Sequence, residues 1–313
     1  LKEPPAMDGR WHRVAVEGDT AGKQSGSYKG FLDDGVPNGL IMNYRAGGVA
    51  EKWIATGHHL DPADLDRLKT ESQARQAQQA EDRQAQQRDA AKRAFGLHAN
   101  AAPAPADHPY LVRKGVPPLA DLRVTGDNKL LLPLRDGAGA LWNVQTIDAD
   151  GTKRFLHQGR KSGLCATIDG DPKGPLLVAE GYATGATLHG ATGLGVAVAL
   201  DAGNLEAVAT TLRQTMPGRG LVIAADDDHA RPDNPGLTKA VAAARAVDAR
   251  VIVPPFTAAE RARGLTDWND LAGARGPAAT RAILATLGLG TRQDRARTMA
   301  NTKVKPKAPA LGL

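Results

Sequence analysis

The sequence predicts an α/β protein with a mainly parallel sheet flanked by helices. A β-rich segment precedes this sheet, and a long helix joins it to a separate, small N-terminal β-rich unit. From residue 176 onward, short apolar runs alternate with helical segments, as in a parallel sheet covered on both faces. Residues 129–156 read as strands separated by glycine turns, which indicates an antiparallel meander. Residues 63–95 are mostly Ala, Gln, Arg and Glu without glycine or proline, which predicts a helix.

The elements follow in order along the chain. Residues 1–57 alternate polar and apolar side chains between Gly-rich turns and therefore read as strands. In the C-terminal half we expect strands at 176–180, 195–199, 220–225 and 250–253. Helices are expected at 182–190, 204–215, 236–247 and 277–287.

These patterns divide the chain into six segments. We expect a small β-rich unit (1–58), a polar spacer helix (59–97) and a Pro/Ala linker (98–109). A β-rich subdomain (110–174), a catalytic domain with the parallel sheet (175–290) and a basic disordered tail (291–313) are expected to follow. The apolar positions of the spacer helix are mostly alanine, so we expect a solvated helix. A weak coiled coil or a helix that contacts nucleic acid remains an alternative.

Composition limits the class of protein. The 313 residues are enough for one large domain or two to three smaller ones. The single cysteine, Cys165, excludes an internal disulfide and a Cys-rich zinc ribbon, so no zinc is expected in this chain. No run approaches the ~20 apolar residues of a membrane span, and the first residues do not form a signal peptide. We therefore expect a cytoplasmic protein without a membrane partner.

The net charge of +6 is concentrated at the C-terminus. Residues 291–313 carry six Lys and Arg residues against Asp294 alone. A basic segment of low apolar content favours polyanions such as nucleic acid. A solubilising tail without a partner is an equally good interpretation.

Acidic residues follow two of the predicted parallel strands. Glu180 comes directly after one strand, and Asp226, Asp227 and Asp228 come after another. Ligands of open parallel sheets bind beyond the carboxyl ends of the strands, so these carboxylates converge if the two strands are neighbours. Because side chains alternate along an extended chain, Asp226 and Asp228 are expected to share one side and Asp227 to face the other.

Converging carboxylates need a compensating positive charge. At ~4 Å a like-charged pair costs roughly 4 kcal/mol at an effective dielectric constant of 20. A hard divalent cation offsets this repulsion better than protonation does, and oxygen ligands favour Mg²⁺ or Mn²⁺, ions suited to phosphoryl transfer. The alternative is that these acids are helix caps and loop residues. That alternative explains Glu180 alone well, but it explains the two acidic strand ends together poorly.

The motifs resemble a known family. "LLVAEGYATGATLHGATG" and "LVIAADDDHARPDNPGLTKA" are similar to the Toprim domain, which occurs in DnaG-type primases, type IA and type II topoisomerases and some nucleases. With "KRFLHQGRKSGLCATIDG" and "TDWNDL", residues 107–273 resemble the primases of conjugative plasmids and phages, the TraC-like group. The resemblance implies a Toprim-type parallel sheet in the catalytic domain.

The resemblance also implies roles for individual acids. It assigns catalysis and metal binding to Glu180, Asp226 and Asp228, with Glu180 as a general acid or base in nucleotidyl transfer. Further acids near the metal would be Asp201, Asp267 and Asp270. Asp267 and Asp270 read equally well as an N-cap and a surface acid before a helix, and Asn204 is expected to be a helix cap.

Basic residues lie just before the catalytic domain. The resemblance implies that they contact the template strand or the incoming triphosphate; they are Lys153, Arg154, Arg160 and Lys161, with Arg113 and Lys114 as weaker candidates. Cations beside flexible glycines suit phosphate contact. A solvated hairpin is the alternative.

The function expected from this resemblance is that of a DNA primase. Such a nucleotidyltransferase would use Mg²⁺ or Mn²⁺ to make short RNA primers from ribonucleoside triphosphates on single-stranded DNA, in plasmid or phage replication or conjugation. A replication helicase or conjugation proteins would be its protein partners. A Toprim nuclease and a non-catalytic nucleic-acid-binding module are the alternatives. DnaG-type primases carry an N-terminal zinc ribbon that this chain cannot form, so template recognition is expected elsewhere.

Overall fold

A computed structural model of the chain describes residues 4–33, 35–55 and 62–291. The chain separates into two compact units, Leu1–Asp82 and Arg83–Leu313. Apart from Thr291, the segment 291–313, for which a basic disordered tail is predicted, lies outside the described residues.

The N-terminal unit contains a four-stranded antiparallel sheet in sequential order. Its strands are β1 (Trp11–Val14), β2 (Gly26–Asp33), β3 (Val36–Asn43) and β4 (Ala50–Ile54). The strands predicted from the alternation in this region are confirmed. In the same unit, Arg75 pairs with the buried carboxylate of Asp33, with its Nη2 atom 2.8 Å from Oδ2.

Helix α1 (Pro62–Asn100) runs through both units and is exposed over most of its length. Among its residues whose burial is described, only Ala90, Ala94 and His98 are buried, four residues apart on one face. Ala94 packs against Leu131 and Val144, because a methyl side chain lets the helix approach closely. This narrow stripe agrees with a helix that is largely solvated.

The next segment forms a five-stranded antiparallel sheet in sequential order. Its strands are β5 (Ala102–Pro103), β6 (Arg123–Val124), β7 (Leu130–Arg135), β8 (Leu141–Ile147) and β9 (Lys153–Phe155), with helix α2 (Pro109–Lys114) between the first two. The meander predicted at 129–156 is confirmed.

The C-terminal half alternates strands and helices as predicted. Its strands are β10 (Ala166–Ile168), β11 (Leu176–Ala179), β12 (Val196–Val198), β13 (Leu221–Ala224) and β14 (Arg250–Ile252). Its helices are α3 (Tyr182–Thr192), α4 (Leu205–Thr215), α5 (Pro235–Val247), α6 (Ala258–Ala262), α7 (Trp268–Arg275) and α8 (Pro277–Thr286). No helix in the described ranges has both the length and the apolar character needed to cross a bilayer.

The strand order of this sheet is β10-β12-β11-β13-β14. The last four of these strands are parallel to their neighbours, whereas β10 pairs antiparallel with β12 at the edge. The edge strand was not predicted, because three residues within "LCATIDG" are too short a run to show a period. The protein is thus α/β, with helices flanking a mainly parallel sheet.

The strands of this sheet read as continuous apolar runs because both faces are covered. Leu177 and Ala179 of β11 pack in the cluster that contains Trp268. Leu176 and Val178, one residue out of phase, pack in the cluster of α4 and α5 that contains Val208. The period of two along β11 therefore divides its side chains between two cores.

Asn204 has a different role from the expected helix cap. It directly precedes α4, but its side chain makes no capping hydrogen bond. Its Nδ2 atom donates to the carbonyls of Leu164 (3.0 Å) and Ala199 (2.9 Å), and its Oδ1 atom accepts from Gly163 N (2.9 Å). Asn204 is buried, so it joins the loop before β10 to the end of β12.

We predict that Asn204→Ala lowers the free energy of unfolding by about 2–4 kcal/mol, because it leaves buried backbone groups without partners. Urea denaturation followed by circular dichroism measures this loss. Gln214→Ala, at an exposed position of α4, is the control and should change stability by less than about 0.5 kcal/mol. Equal stability of both variants would mean that the Asn204 bonds do not hold this loop.

Candidate active site

The order of the strands brings the predicted acids to one edge of the sheet. Strand β11 lies between β12 and β13, with Ala179 opposite both Val198 and Ala224. Glu180 extends β11 by one residue and is partly buried. The neighbouring strands lead to Asp201 on one side and Asp226 on the other, so Glu180 lies at the centre of this acidic edge.

The three consecutive aspartates alternate as predicted. Asp227 is buried, with 3% of its surface exposed, and pairs with Arg261, whose Nη2 atom lies 2.9 Å from Asp227 Oδ2. Its Oδ1 atom accepts a hydrogen bond of 2.9 Å from Asn234, and its backbone N–H donates to Thr266 O at 2.7 Å. Asp227 therefore anchors the loop, which leaves Asp226 and Asp228 beside Glu180.

Asp228 also binds the start of a helix. Its Oδ2 atom accepts a hydrogen bond of 3.0 Å from the backbone N–H of Gly236 in the first turn of α5. A Cβ atom on Gly236 would lie only 2.9 Å from Asp226 O and 3.1 Å from Asp228 Oδ2. A glycine is therefore required here for α5 to approach the acidic loop, and the helix terminus stabilises the negative charge of Asp228.

Burial and mutual repulsion raise the pKa values of the central acids. The pKa of Asp226 is raised to about 8, first by burial and then by Glu180, Asp267 and Asp228. The pKa of Glu180 is raised by burial and by Asp228 and Asp201. In addition, the buried Oδ1 atom of Asp226 has no hydrogen-bond partner. The carboxylates therefore lack the positive charge that would make their ionised forms stable.

Asp267 and Asp270 cap a helix and also belong to this acidic edge. Asp267 is the N-cap of α7 and accepts a hydrogen bond of 2.7 Å from the backbone N–H of Asp270. Asp270 in turn accepts one of 3.0 Å from Thr266 N. The pKa of Asp267 is raised by burial and then by Asp270, and Asp267 itself raises the pKa of Asp226.

Three of the predicted basic residues lie near these acids. Lys161 Nζ is 2.7 Å from Asp201 Oδ2, and Lys114 Nζ is 3.8 Å from Asp270 Oδ1. Lys153 Nζ lies close to the start of α3, 3.7 Å from where a Cβ on Gly181 would be.

The amine of Lys153 is largely surrounded by protein atoms, although part of the residue is exposed to solvent. Desolvation lowers the pKa of its amine, whereas Glu180 acts in the opposite direction. More than a third of the surface of Lys153 is exposed to water, so the decrease in its pKa is smaller than for a fully enclosed amine.

The other three predicted basic residues make contacts away from the acids. Arg113 donates to Ala149 O at 2.7 Å, and Arg154 Nη1 pairs with Asp148 Oδ2 at 2.7 Å. The guanidinium of Arg160 stacks on Trp142 at 5.2 Å from the ring centroid. The structure therefore brings the lysines, and not the arginines, to the acidic edge.

Some residues that support the site were not predicted. Arg261, in α6, and Thr266 hold the acidic loop through Asp227, and nothing in the local sequence pattern indicates this pairing. Asn234 had a detectable signal, because Asn before Pro is a common start of a helix. It is the N-cap of α5, and its Oδ1 accepts from Leu237 N at 3.3 Å.

The donor atoms fit a hard divalent cation in type and in charge. Carboxylate oxygens are the ligands that Mg²⁺ and Mn²⁺ prefer, and the unpartnered oxygen of Asp226 is available for such a bond. In the described part of the chain, no three His, Cys, Asp or Glu side chains are already close enough to ligate one ion. Ligation therefore requires the carboxylates to rotate toward one another.

Comparison with known proteins agrees with this geometry. The family model described as "Toprim domain" matches residues 175–278, which include Glu180, Asp226 and Asp228. The chain carries a Toprim domain and resembles the TraC primases. It is 39% identical over 269 residues to a DNA primase TraC of Escherichia coli, which covers 83% of this chain and 25% of that protein. A second DNA primase TraC of Escherichia coli is 37% identical over 265 residues, which covers 82% of this chain and 18% of that protein.

The chain thus spans a quarter or less of the length of these two TraC relatives. Among solved structures, the primase fragment of the bacteriophage T7 primase-helicase has a TM-score of 0.40 and 16% identity, over 54% of this chain and 71% of that chain. The RNA polymerase domain of Mycobacterium tuberculosis primase DnaG has a TM-score of 0.35 and 20% identity, over 50% of this chain and 53% of that chain.

We predict that Asp226→Asn stabilises the metal-free protein, and that the gain grows with pH. With a pKa raised to about 8, Asp226 keeps its proton in the folded protein, whereas the unfolded chain releases it near the ordinary aspartate pKa of 3.8. Wild-type stability therefore falls as pH rises between these values, and the amide variant escapes that loss. Because the raised pKa of Glu180 is coupled to that of Asp226, we expect a gain on the order of 3 kcal/mol at pH 8.5 and little gain at pH 4.

Urea denaturation in EDTA at pH 4, 6 and 8.5 measures the gain from Asp226→Asn. Asp233→Asn, an exposed acid in the same loop, is the matched control and should show no such pH dependence. A constant difference between Asp226→Asn and wild type across this pH range would contradict the raised pKa.

We predict that Arg261→Met destabilises the protein by about 2–4 kcal/mol, because it leaves the charge of Asp227 buried without its cation. Adding Asp227→Asn should recover much of the loss, since the variant then carries no buried charge. Urea denaturation of both single variants and the double variant measures this coupling. Arg263→Met, an exposed arginine two residues later, should have little effect. Additive losses would show that Arg261 and Asp227 are independent.

Proposed function

We propose that this chain is the catalytic part of a DNA primase, a metal-dependent nucleotidyltransferase that makes short RNA primers on single-stranded DNA. One observation carries the proposal: Glu180, Asp226 and Asp228 converge at the carboxyl edge of a parallel sheet, with the pKa of Asp226 raised to about 8 and one of its oxygens unpartnered. The similarity to the TraC primases supports it. The same similarity favours plasmid or phage replication or conjugative transfer as the setting.

Glu180, Asp226 and Asp228 would hold Mg²⁺ or Mn²⁺, with Asp201, Asp267 and Asp270 as further acids around it. When bound, the ion would offset the repulsion among the carboxylates and stabilise the charge that develops on the reacting phosphate. The role of the protein residues is electrostatic positioning. Glu180 lies centrally, where a carboxylate of raised pKa can accept a proton from the attacking hydroxyl group.

The lysines at this edge would contact the triphosphate. Lys153, Lys161 and Lys114 supply mobile ammonium groups next to the acids, which suits an anionic substrate whose phosphates are displaced during reaction. Lys161 is paired with Asp201 in the free protein, so substrate phosphate would compete with Asp201 for it. Arg113, Arg154 and Arg160 would contact the nucleic acid farther from the reacting centre.

Single-stranded DNA and ribonucleoside triphosphates are the substrates of the proposed reaction. A replication helicase or conjugation proteins are the proposed protein partners. These substrates and partners are inferred from the similarity to the two TraC primases, of which the aligned residues cover 25% and 18%.

We predict that the wild-type chain incorporates labelled ribonucleotides into short products on single-stranded DNA with Mg²⁺ or Mn²⁺. Asp226→Asn and Asp228→Asn should each reduce the rate by about 100-fold or more, because each removes a charge that acts on the transition state. Asp233→Asn should keep the wild-type rate, since this acid lies on the exposed part of the loop.

The outcomes separate the alternatives. Cleavage of the DNA without nucleotides, lost in Asp226→Asn, would replace the primase by a nuclease that uses water at the same acids. Full synthesis by Asp226→Asn and Asp228→Asn would contradict the assignment of the site. DNA binding without synthesis or cleavage would mean that the chain is a binding module.

A further inference from the structure

The N-terminal sheet has one face on which aromatic and cationic side chains alternate. In antiparallel strands, residues directly opposite each other lie on the same face. Trp11 is opposite Lys29, Lys29 opposite Leu40, and Leu40 opposite Lys52, so these four form one row across the sheet. The adjacent rows on that face carry Arg13, with Ser27, and Phe31, with Asn38. We call this surface the Trp11 face.

The rings on the Trp11 face are accessible. Trp11 is 46% exposed, and Tyr44, whose ring lies beneath Arg13, is 49% exposed. The Arg13 guanidinium is 4.5 Å from the centroid of the Tyr44 ring. Exposed rings of this kind offer stacking surfaces to unpaired bases.

The cations of the face are held next to the rings. Lys29 Nζ lies 5.3 Å from the centroid of Phe31, and Arg75 lies over the same ring at 5.0 Å. Asp33, opposite Val36 in the next row, is the single acid among the described strand residues of this face, and Arg75 and Asn38 already bind it. The face therefore presents positive charge between stacking surfaces.

The opposite face of the sheet differs. It carries Glu51, opposite Ile41, and it is partly covered by the preceding segment, where Ala6 N donates to the hydroxyl of Tyr28 at 2.9 Å. A Cβ on Gly30 would lie 2.7 Å from Ala6 O, so this segment touches that face closely. Leu32 and Ile41 are also exposed on the opposite face, so the two faces differ in charge: among the described strand residues of this sheet, the Lys and Arg side chains lie on the Trp11 face.

We infer that the Trp11 face binds single-stranded nucleic acid, with bases stacked on Trp11 and Tyr44 and phosphates near Arg13, Lys29 and Lys52. Unstacked bases bind exposed rings on four-stranded sheets, and cations between the rings track the backbone. The row from Trp11 to Lys52 spans three strand separations, about 14 Å, which is room for two or three nucleotides. The inference deepens the proposed function by assigning contact with the template strand, but the binding does not depend on catalysis.

The test uses the full chain in EDTA, so that no ion contributes at the acidic edge. Fluorescence anisotropy of labelled oligo(dT) and oligo(rU) gives Kd over a range of salt concentrations. Trp11→Ala and Tyr44→Ala should each weaken binding about tenfold, the effect of losing one stacked base. Lys29→Gln with Lys52→Gln should reduce the slope of log Kd against log salt by about 1.4, the value for two lost phosphate contacts with a single strand.

Matched controls come from the opposite face. Ile41→Ala and Glu51→Gln should keep the Kd and the salt slope of wild type, and the thermal midpoint of every variant shows whether the sheet is intact. The basic residues in 292–313 are the same in all of these chains, so their contribution cancels. A duplex of the same length should compete poorly, because its bases are already stacked.

The results distinguish this site from the proposed function. The loss of oligo(dT) affinity caused by Trp11→Ala should be the same with and without Asp226→Asn, although Asp226→Asn strongly slows primer synthesis. If Trp11→Ala and the lysine pair bind as wild type does, or if the opposite-face controls lose as much affinity, the inference is wrong. Preference for oligo(dT) or for oligo(rU) shows whether the face binds the DNA template or the RNA product.

Discussion

The acidic edge depends on one electrostatic constraint, the placement of Glu180 between two further acidic strand ends. Because β11 lies between β12 and β13, the chain cannot separate Glu180 from Asp201 and Asp226 without changing the order of the sheet. Burial and the neighbouring acids raise the pKa of both Glu180 and Asp226, so the folded state disfavours the ionised forms of these two carboxyl groups. Such a cost at the carboxyl edge of a parallel sheet is usual for functional sites.

The surroundings of this edge hold it in place without neutralising it. Asp227 takes the buried ion pair with Arg261, while Asp226 and Asp228 stay on the other side of the loop. The N-terminus of α5 approaches Asp228 because Gly236 has no side chain. Arg261 thus pairs with the aspartate that faces away and Lys161 with Asp201, while the buried Oδ1 atom of Asp226 has no hydrogen-bond partner and is available to an added cation.

The sequence predicted those parts of the structure that depend on the spacing of apolar and polar residues within one segment. Apolar runs bounded by helices were sufficient for β11 and β13, and the period of two was sufficient to separate Asp227 from its neighbours. Pairings between distant segments had no such signal. The contact of Lys161 with Asp201 and that of Arg261 with Asp227 depend on which strands and loops become neighbours. Asn204 stands at the N-cap position of α4, but its side chain donates hydrogen bonds to the carbonyls of Leu164 and Ala199. These two buried carbonyls need a donor, and this need outweighs the preference of asparagine for capping the helix.

Two of the four tryptophans, Trp11 and Trp268, lie in environments that give different fluorescence. Trp268 directly follows Asp267, is fully buried and has an indole N–H without a partner, so its fluorescence should be at short wavelength. Trp11 is 46% exposed and should emit at long wavelength. Once Trp53 and Trp142 are replaced by phenylalanine, occupation of the acidic edge and occupation of the N-terminal sheet can therefore be followed in different parts of one emission spectrum, without attaching a dye to the protein.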